Sequence, residues 1–194
     1  IPLSRYFHTL RYLKPIQIFG RIWFRLHTPS ARLSPALPVR KRTGAWVQPP
    51  LKYPALLSPS RFRFLNDEHE AATPSDWNSP EREKLWLYHL HYFDDLAAEG
   101  AAARTECQRT LIHRWVAENP PGHGNGWEPY PLARRIVNWV KWAWAGNELP
   151  DSAAESLALQ ARWLRHRLEW HLLGNHLLAD AKGLIFAGLF FAGP

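Results

Sequence analysis

The stretch HLLGNHLLAD, residues 171–180, decides how the C-terminal half of the chain is interpreted. One helical pattern leads into it from Asp151, and another leads out of it toward Phe191. Gly174 is typical of a helix end and Asn175 of a helix N-cap. The pattern therefore predicts that Asn175 lies at a helix N-terminus, where free N–H groups and the helix dipole favour a bound carboxylate.

The adjacent pair Asn175 and His176 carries the chemical interest of this stretch. An Asn amide adds a hydrogen-bond donor to the free N–H groups of a helix start. An imidazole beside it can accept or release a proton near neutral pH. The alternative is structural: Asn175 only caps the helix, and His176 is only a packed side chain.

Helical periodicity extends upstream from this stretch as far as Ser79. It predicts helices starting at Ser79–Pro80, covering about 102–118, starting at Pro131, starting at Asp151 or Ser152, and following Gly174. Short turns between successive helices favour antiparallel hairpins, so the predicted fold class is all-α. The repeated helix–turn–helix rhythm is similar to that of a solenoid or a closed toroid, whose rim offers a groove to a polymer.

The N-terminal third differs from the rest in its charge. Residues 1–66 hold twelve Lys or Arg and no acid, whereas residues 67–194 hold twelve Lys or Arg and seventeen Asp or Glu. We predict a basic arm and proline-rich connector over 1–66, with a short strand at 62–65, and a helical domain over 67–194. Two short helices divided by Pro15 either form a peripheral arm that seeks anions or pack on the rest of the protein.

Several classes of protein are excluded or disfavoured by composition and spacing. The single Cys107 cannot form an internal disulfide, and no apolar run reaches the roughly 20 residues that span a bilayer. No signal peptide is visible, because Pro15, Arg21 and Arg25 interrupt any apolar core. The histidines lack zinc-site spacing and the basic arm lacks a nucleic-acid motif, so we expect neither a metal, a cofactor nor a nucleic-acid partner. The absence of Met and the abrupt last segment indicate a fragment of a longer protein.

The loop NPPGHGNGWEPYP, residues 119–131, is the second unusual stretch. Its glycines at 122, 124 and 126 allow positive φ angles and close backbone approach. They precede Trp127, Glu128 and Tyr130, which could stack on a sugar ring and bind its hydroxyls. The alternative is a stiff connector in which Trp127 is buried.

Three blocks of sequence resemble the N-terminal helical domain of the heparinase II/III-like polysaccharide lyases, a family that includes oligoalginate lyases. The blocks are LWLYHLHYFDDL (85–96), NPPGHGNGWEPYPLARRIVNWVKW (119–142) and LEWHLLGNHLLADAKGLIFAGLFF (168–191), in the family's order. The resemblance implies an incomplete (α/α) toroid, with further helices and a β-sandwich domain outside this chain. It also implies a metal-independent enzyme of the periplasm or cell envelope that cleaves acidic polysaccharides by β-elimination.

The resemblance implies that Asn175 neutralises the uronate carboxylate and that His176 acts as base, while the family's catalytic Tyr and a further His map beyond Pro194. Donors at residue 175 and at a helix start would stabilise the enolate-like transition state. Arg135 either grips a neighbouring sugar or pairs with Glu128. The predicted substrate-binding residues are Asn125, Trp127, Glu128, Tyr130, Arg135 and His171.

Two other functions remain open from the sequence. One is a glycoside hydrolase that uses Glu128 with Asp94 or Asp95 as its carboxylate pair. The other is a glycan-binding module without catalysis.

Overall fold

The structure is a computed structural model that describes residues 8, 10–30, 37–41 and 43–192. Its helices are α1 (Pro15–Leu26), α2 (Lys84–Tyr92), α3 (Thr105–Glu118), α4 (Pro129–Trp144), α5 (Asp151–Arg165) and α6 (Gly174–Phe190). The chain is therefore mostly helical, as predicted. Helix α2 starts at Lys84, with Glu83 as its N-cap, and therefore later than the predicted start at Ser79–Pro80. The predicted helix before Pro15 falls largely outside the described residues.

A small antiparallel sheet corrects the all-α prediction. Its strands are β1 (Leu56–Ser58), β2 (Arg61–Phe64) and β3 (Asp67–Glu70), in that order. Phe62 and Phe64 alternate inward from β2 and are buried, which fits the predicted short strand. The predicted domain boundary at residue 66 lies in the turn between β2 and β3, so the pairing of these two strands spans it.

Helix α4 forms the centre of the core. Leu132, Ile136, Trp139 and Val140 recur at helical spacing and are fully buried. This helix contacts α2, α5 and α6, and α5 in turn contacts α3. The core is rich in aromatic side chains, and Trp77, Trp115 and Trp139 are among its largest fully buried members.

The directions of the last three helices bring the starts of α4 and α6 together. Helix α5 runs back along α4, since Arg135 of α4 bonds Gln160 of α5 and only a short turn joins the two helices. Helix α6 runs in the same direction as α4: Tyr130 contacts His176 near their starts, and Trp144 contacts Phe190 near their ends. The N-termini of α4 and α6 therefore converge at one end of the molecule.

The basic connector is bound to the helical body at several points. The backbone N–H of Arg40 donates to the carbonyl of Phe190 at 2.8 Å, and its side-chain Nε donates to the carbonyl of Phe191 at 2.7 Å. Lys52 forms a bridge with Ala98. Within the described part of the chain, no helix is both long enough and apolar enough to cross a bilayer.

Candidate functional site

A groove of about 290 Å3 runs between α4 and α6, from their converging N-termini toward Lys141. Along α4 the span from Tyr130 to Lys141 is about 16 Å. Asn175 is exposed and lines the groove in the first turn of α6. The other lining residues are Lys52, Tyr130, Ala133, Arg134, Val137, Asn138, Lys141, Leu178, Ala179 and Lys182.

The local structure around Asn175 differs from the predicted cap in one respect. Helix α5 ends at Arg165 rather than at Gly174, and the N-cap of α6 is Leu173, with a φ of 60°. Gly174 is the first helical residue, so Asn175 lies inside the first turn instead of capping it. Its side chain therefore does not cap the helix and instead lines the groove. The N–H groups of the same turn, which have no partner within the helix, lie beside it.

The groove is strongly cationic. Lys52, Arg134, Lys141 and Lys182 line it, and the carboxylate of Asp94 bonds Lys52 and accepts from Arg134 at 3.1 Å. Burial lowers the pKa of Lys141, and the repulsion of Lys182, Lys52 and Arg134 lowers it further. A bound anion would relieve this repulsion between like charges.

The carboxyl of Asp94 stays ionised in this setting. Burial alone would raise its pKa, but the charges of Lys52 and Arg134 outweigh that cost and leave the pKa below its usual value. Asn138 also donates to Asp94, at 2.7 Å. Asp94 therefore holds the cations of one groove wall in place while neutralising only part of their charge.

His176 does not line the groove, but it follows Asn175 directly in the first turn of α6 and is held there by two contacts. Its Nδ1 lies 2.9 Å from Oε2 of Glu169, and its ring centroid lies 4.7 Å from that of Tyr130. When Nδ1–H donates to the carboxylate, Nε2 carries the lone pair and can accept a proton. Burial raises the pKa of Glu169 despite the bond to His176.

Behind His176 lies a second buried carboxyl, Asp180, one turn further along α6. Its Oδ2 accepts the backbone N–H of Glu169 at 2.8 Å, which ties the segment before α6 to that helix. Burial raises the pKa of Asp180 to about 7, and the nearby charge of Glu169 adds to the shift.

We expect Asp180→Asn to weaken the pH dependence of stability. Because the folded-state pKa of Asp180 is raised, the folded protein retains a proton that the unfolded chain releases, so its free energy of unfolding falls between about pH 4 and pH 7. An Asn can still accept from Glu169 but cannot ionise. Urea unfolding at pH 5 and pH 8 should show a fall smaller by about 2 kcal/mol in the variant. An unchanged fall would mean that Asp180 does not titrate in this range.

Trp127 is not a surface platform for a sugar. It is 3% exposed, donates from Nε1 to the carbonyl of Asn119 and packs against Trp115 and Trp163. The glycine loop has the expected conformation, with positive φ at Gly122 and Gly124 and close approach at Gly126. A Cβ at Gly126 would lie 2.7 Å from Nδ1 of His91, so the loop packs inward and carries Trp127 with it.

Arg135 is likewise a core residue and not a substrate ligand. It is fully buried, donates to Gln160 and to the carbonyls of His91 and Gly126, and lies 3.6 Å from the ring centroid of Trp115. The alternative pair with Glu128 does not form either. Glu128 accepts instead from the Tyr88 hydroxyl and pairs with Lys84 at 2.9 Å.

Three other predicted substrate-binding residues lie in three different environments. Tyr130 lines the groove beside Asn175. Asn125 starts the 3₁₀ turn Asn125–Trp127, and its backbone N–H donates to Asn78 at 2.7 Å. His171 is buried against Phe24 of α1, with ring centroids 4.6 Å apart. The groove therefore brings together Asn175 and Tyr130, and His176 contacts Tyr130 from outside the groove lining, whereas Trp127, Arg135 and His171 are structural.

Several residues of the groove were not identified from the sequence. Arg134, Asn138 and Lys141 follow Tyr130 at helical spacing along α4, and Lys182 follows Asn175 along α6, so both faces could have been traced from those two residues. Lys52 carries no such signal, because it comes from the irregular connector.

The chain was compared with known proteins in three ways. A scan against protein-family models, a search of curated proteins and a search of solved structures each give no match to the chain.

Proposed function

We propose that this chain is the N-terminal helical part of a polysaccharide lyase of the heparinase II/III-like type, which cleaves a uronate-containing acidic polysaccharide by β-elimination. One observation carries the proposal: Asn175, Tyr130 and four cationic side chains line one groove where α4 and α6 begin. An acidic polymer fits such a groove because it presents a negative charge at each uronate.

Asn175 and the neighbouring His176 suit the first step of that reaction. The C5 proton of a uronate is hard to remove while its carboxylate is charged, because further negative charge develops there. Donation from the Asn175 amide and from the first turn of α6 would stabilise the enolate-like transition state. His176, oriented by Glu169, would take the C5 proton through Nε2.

The remaining step completes the balance of the reaction. The electrons of the C5–H bond form a C4–C5 double bond as the C4–O bond breaks, and the departing oxygen takes a proton. Within the described residues the ring of Tyr130 packs against that of His176, with ring centroids 4.7 Å apart. From the resemblance, we propose that the catalytic Tyr and a further His come from the later part of the longer protein.

The arrangement of helices supports, at the level of architecture, an incomplete (α/α) toroid. Helices α4, α5 and α6 alternate in direction, and α5 also contacts α3. Toroids of helical hairpins are built from such alternation. We propose a location in the periplasm or cell envelope, where extracellular polysaccharides are accessible.

The hydrolase alternative receives less support from the carboxylates it would use. Glu128 bonds Tyr88 and Lys84, and Asp94 bonds Lys52, Arg134 and Asn138. Asp95 is buried and accepts from Arg104 and from the backbone of Ala55. Each of these carboxylates already has cationic or backbone partners, and none of the three is among the residues that line the groove.

Product chemistry tests the proposal. The proposed lyase in its full length should be incubated with alginate, heparin and heparan sulfate, and the ultraviolet absorbance of an unsaturated uronate should be followed. We expect absorbance to rise with at least one polymer, with products whose masses show no added water. Products that gain water without a double bond would establish a hydrolase, and binding without products would establish a binding module.

A further inference from the structure

The exposed side of α1 is apolar. Phe19, Ile22, Trp23 and Leu26 recur at the spacing of one helix face, and Phe19 and Leu26 are 70% and 81% exposed. No residue of α1 is buried. Exposed large apolar side chains grouped on one face mark an interaction surface more often than isolated ones do.

The opposite side of α1 is fixed to the helical body. A Cβ added at Gly20 would lie 3.1 Å from the Cβ of His171, so the helix approaches the body closely there. Arg167 donates to the carbonyls of Phe24 and His27, at 2.7 and 2.6 Å, and its guanidinium lies over the Phe24 ring. Because this side is anchored, the apolar face cannot turn inward.

The segment that carries the apolar face is basic. Arg11, Lys14, Arg21 and Arg25 are all exposed, and residues 1–66 contain no acidic residue. Arg21 and Arg25 lie on α1, and Arg11 and Lys14 lie just before it, so the helix carries an exposed apolar stripe within a strongly basic segment. This pattern is typical of helices that lie in the plane of a membrane surface, with Trp at the polar boundary.

We propose that α1 docks this protein on an anionic phospholipid surface, with Phe19, Ile22, Trp23 and Leu26 in the headgroup–acyl boundary and the four basic residues on the lipid phosphates. The apolar stripe and the basic residues together favour a phospholipid surface as the partner. A polysaccharide chain would satisfy the charges but would gain little from the apolar stripe, whereas a bilayer accommodates both. The docking is independent of the proposed lyase activity, because the groove between α4 and α6 does not include α1.

Vesicle binding tests this proposal. The full chain should be sedimented with vesicles of equal parts phosphatidylglycerol and phosphatidylcholine, and with phosphatidylcholine alone. We expect binding to the mixed vesicles that weakens as salt is raised. The double variant Phe19→Gln with Leu26→Gln should bind at least about tenfold more weakly.

A matched double variant serves as the control. Val47 and Tyr53 are 80% and 90% exposed in the connector, so Val47→Gln with Tyr53→Gln removes comparable exposed apolar surface away from α1 and should bind as the unmodified chain does. Arg21→Gln with Arg25→Gln should weaken binding and reduce its salt dependence. Circular dichroism confirms that each variant is folded.

Three results would overturn the proposal. The first is no binding to mixed vesicles by the unmodified chain. The second is unchanged binding by the folded Phe19 and Leu26 variant. The third is a self-association of the protein that depends on these two residues and occurs without any lipid binding.

Discussion

Asn175→Ala is expected to lower kcat/KM on a uronate polymer by about two to three orders of magnitude, the usual effect of removing one donor to a developing anion. The side chain is exposed and lines the groove, so its truncation should leave the fold unchanged. Initial rates of unsaturated product formation, measured alongside thermal unfolding, check both parts of this expectation.

Two further variants distinguish the effect of Asn175 on catalysis from its effect on stability. Asn175→Asp should be at least as inactive, because a carboxylate repels the uronate, yet a negative charge in the first turn of α6 should stabilise the helix by about 0.5 kcal/mol. Asn125→Ala is the matched control, since Asn125 bonds Asn78 through its backbone. Activity retained by Asn175→Ala, or lost equally in Asn125→Ala, would remove Asn175 from the mechanism.

Arg135→Ala is expected to lower the free energy of unfolding by about 3–5 kcal/mol. The substitution leaves a cavity against Trp115 and deprives the buried Gln160 and the carbonyls of His91 and Gly126 of their donor. Buried polar groups left without a partner are costly. Urea unfolding of the folded chain measures this loss.

The neighbouring arginine provides the control. Arg134 is partly exposed in the groove and pairs with Asp94, so Arg134→Ala should cost no more than about 1 kcal/mol of stability while weakening substrate binding. We expect Arg135→Ala to lower stability and Arg134→Ala to raise KM. A stable Arg135→Ala protein with a raised KM would instead make Arg135 a substrate ligand.

The contrast between these arginines shows why the sequence predicted elements better than contacts. Helix existence followed from periodicity, and Asn175 at a helix start followed from Gly174 and the patterns on either side of it. Adjacent residues on a helix point about 100° apart, so choosing between Arg134 and Arg135 requires knowing the buried face. Leu132, Ile136 and Trp139 are buried, and their spacing places Arg135 on the same face of the helix.

The direction of the glycine loop and the pairing of β3 depend on tertiary packing, which the local sequence pattern does not determine. The glycine spacing indicated tight turns, but the same turns suit a loop that carries Trp127 outward or inward. The close approach of Gly126 to His91 selects the inward arrangement. Strand β3, with the sequence DEHE, has no apolar alternation, and it pairs with β2 with the help of ion pairs from Arg61 and Arg63 to Glu68.

The contact between His176 and Glu169 could not be predicted from sequence patterns either. Glu169 and His176 are separated by a loop, and their bond depends on how the chain turns between α5 and α6. Lys52 reaches the groove from the connector, more than forty residues before Asp94. Such contacts are set by the fold as a whole, and no local spacing encodes them.

The most direct measurement compares Asn175→Ala with the unmodified protein on two forms of one substrate, a polyuronate with free carboxylates and the same polymer as its methyl ester. If the Asn175 amide neutralises the uronate carboxylate, the substitution should reduce the rate at least about tenfold more on the free acid than on the ester, whose carboxyl is already uncharged. An equal reduction on both polymers would contradict that role.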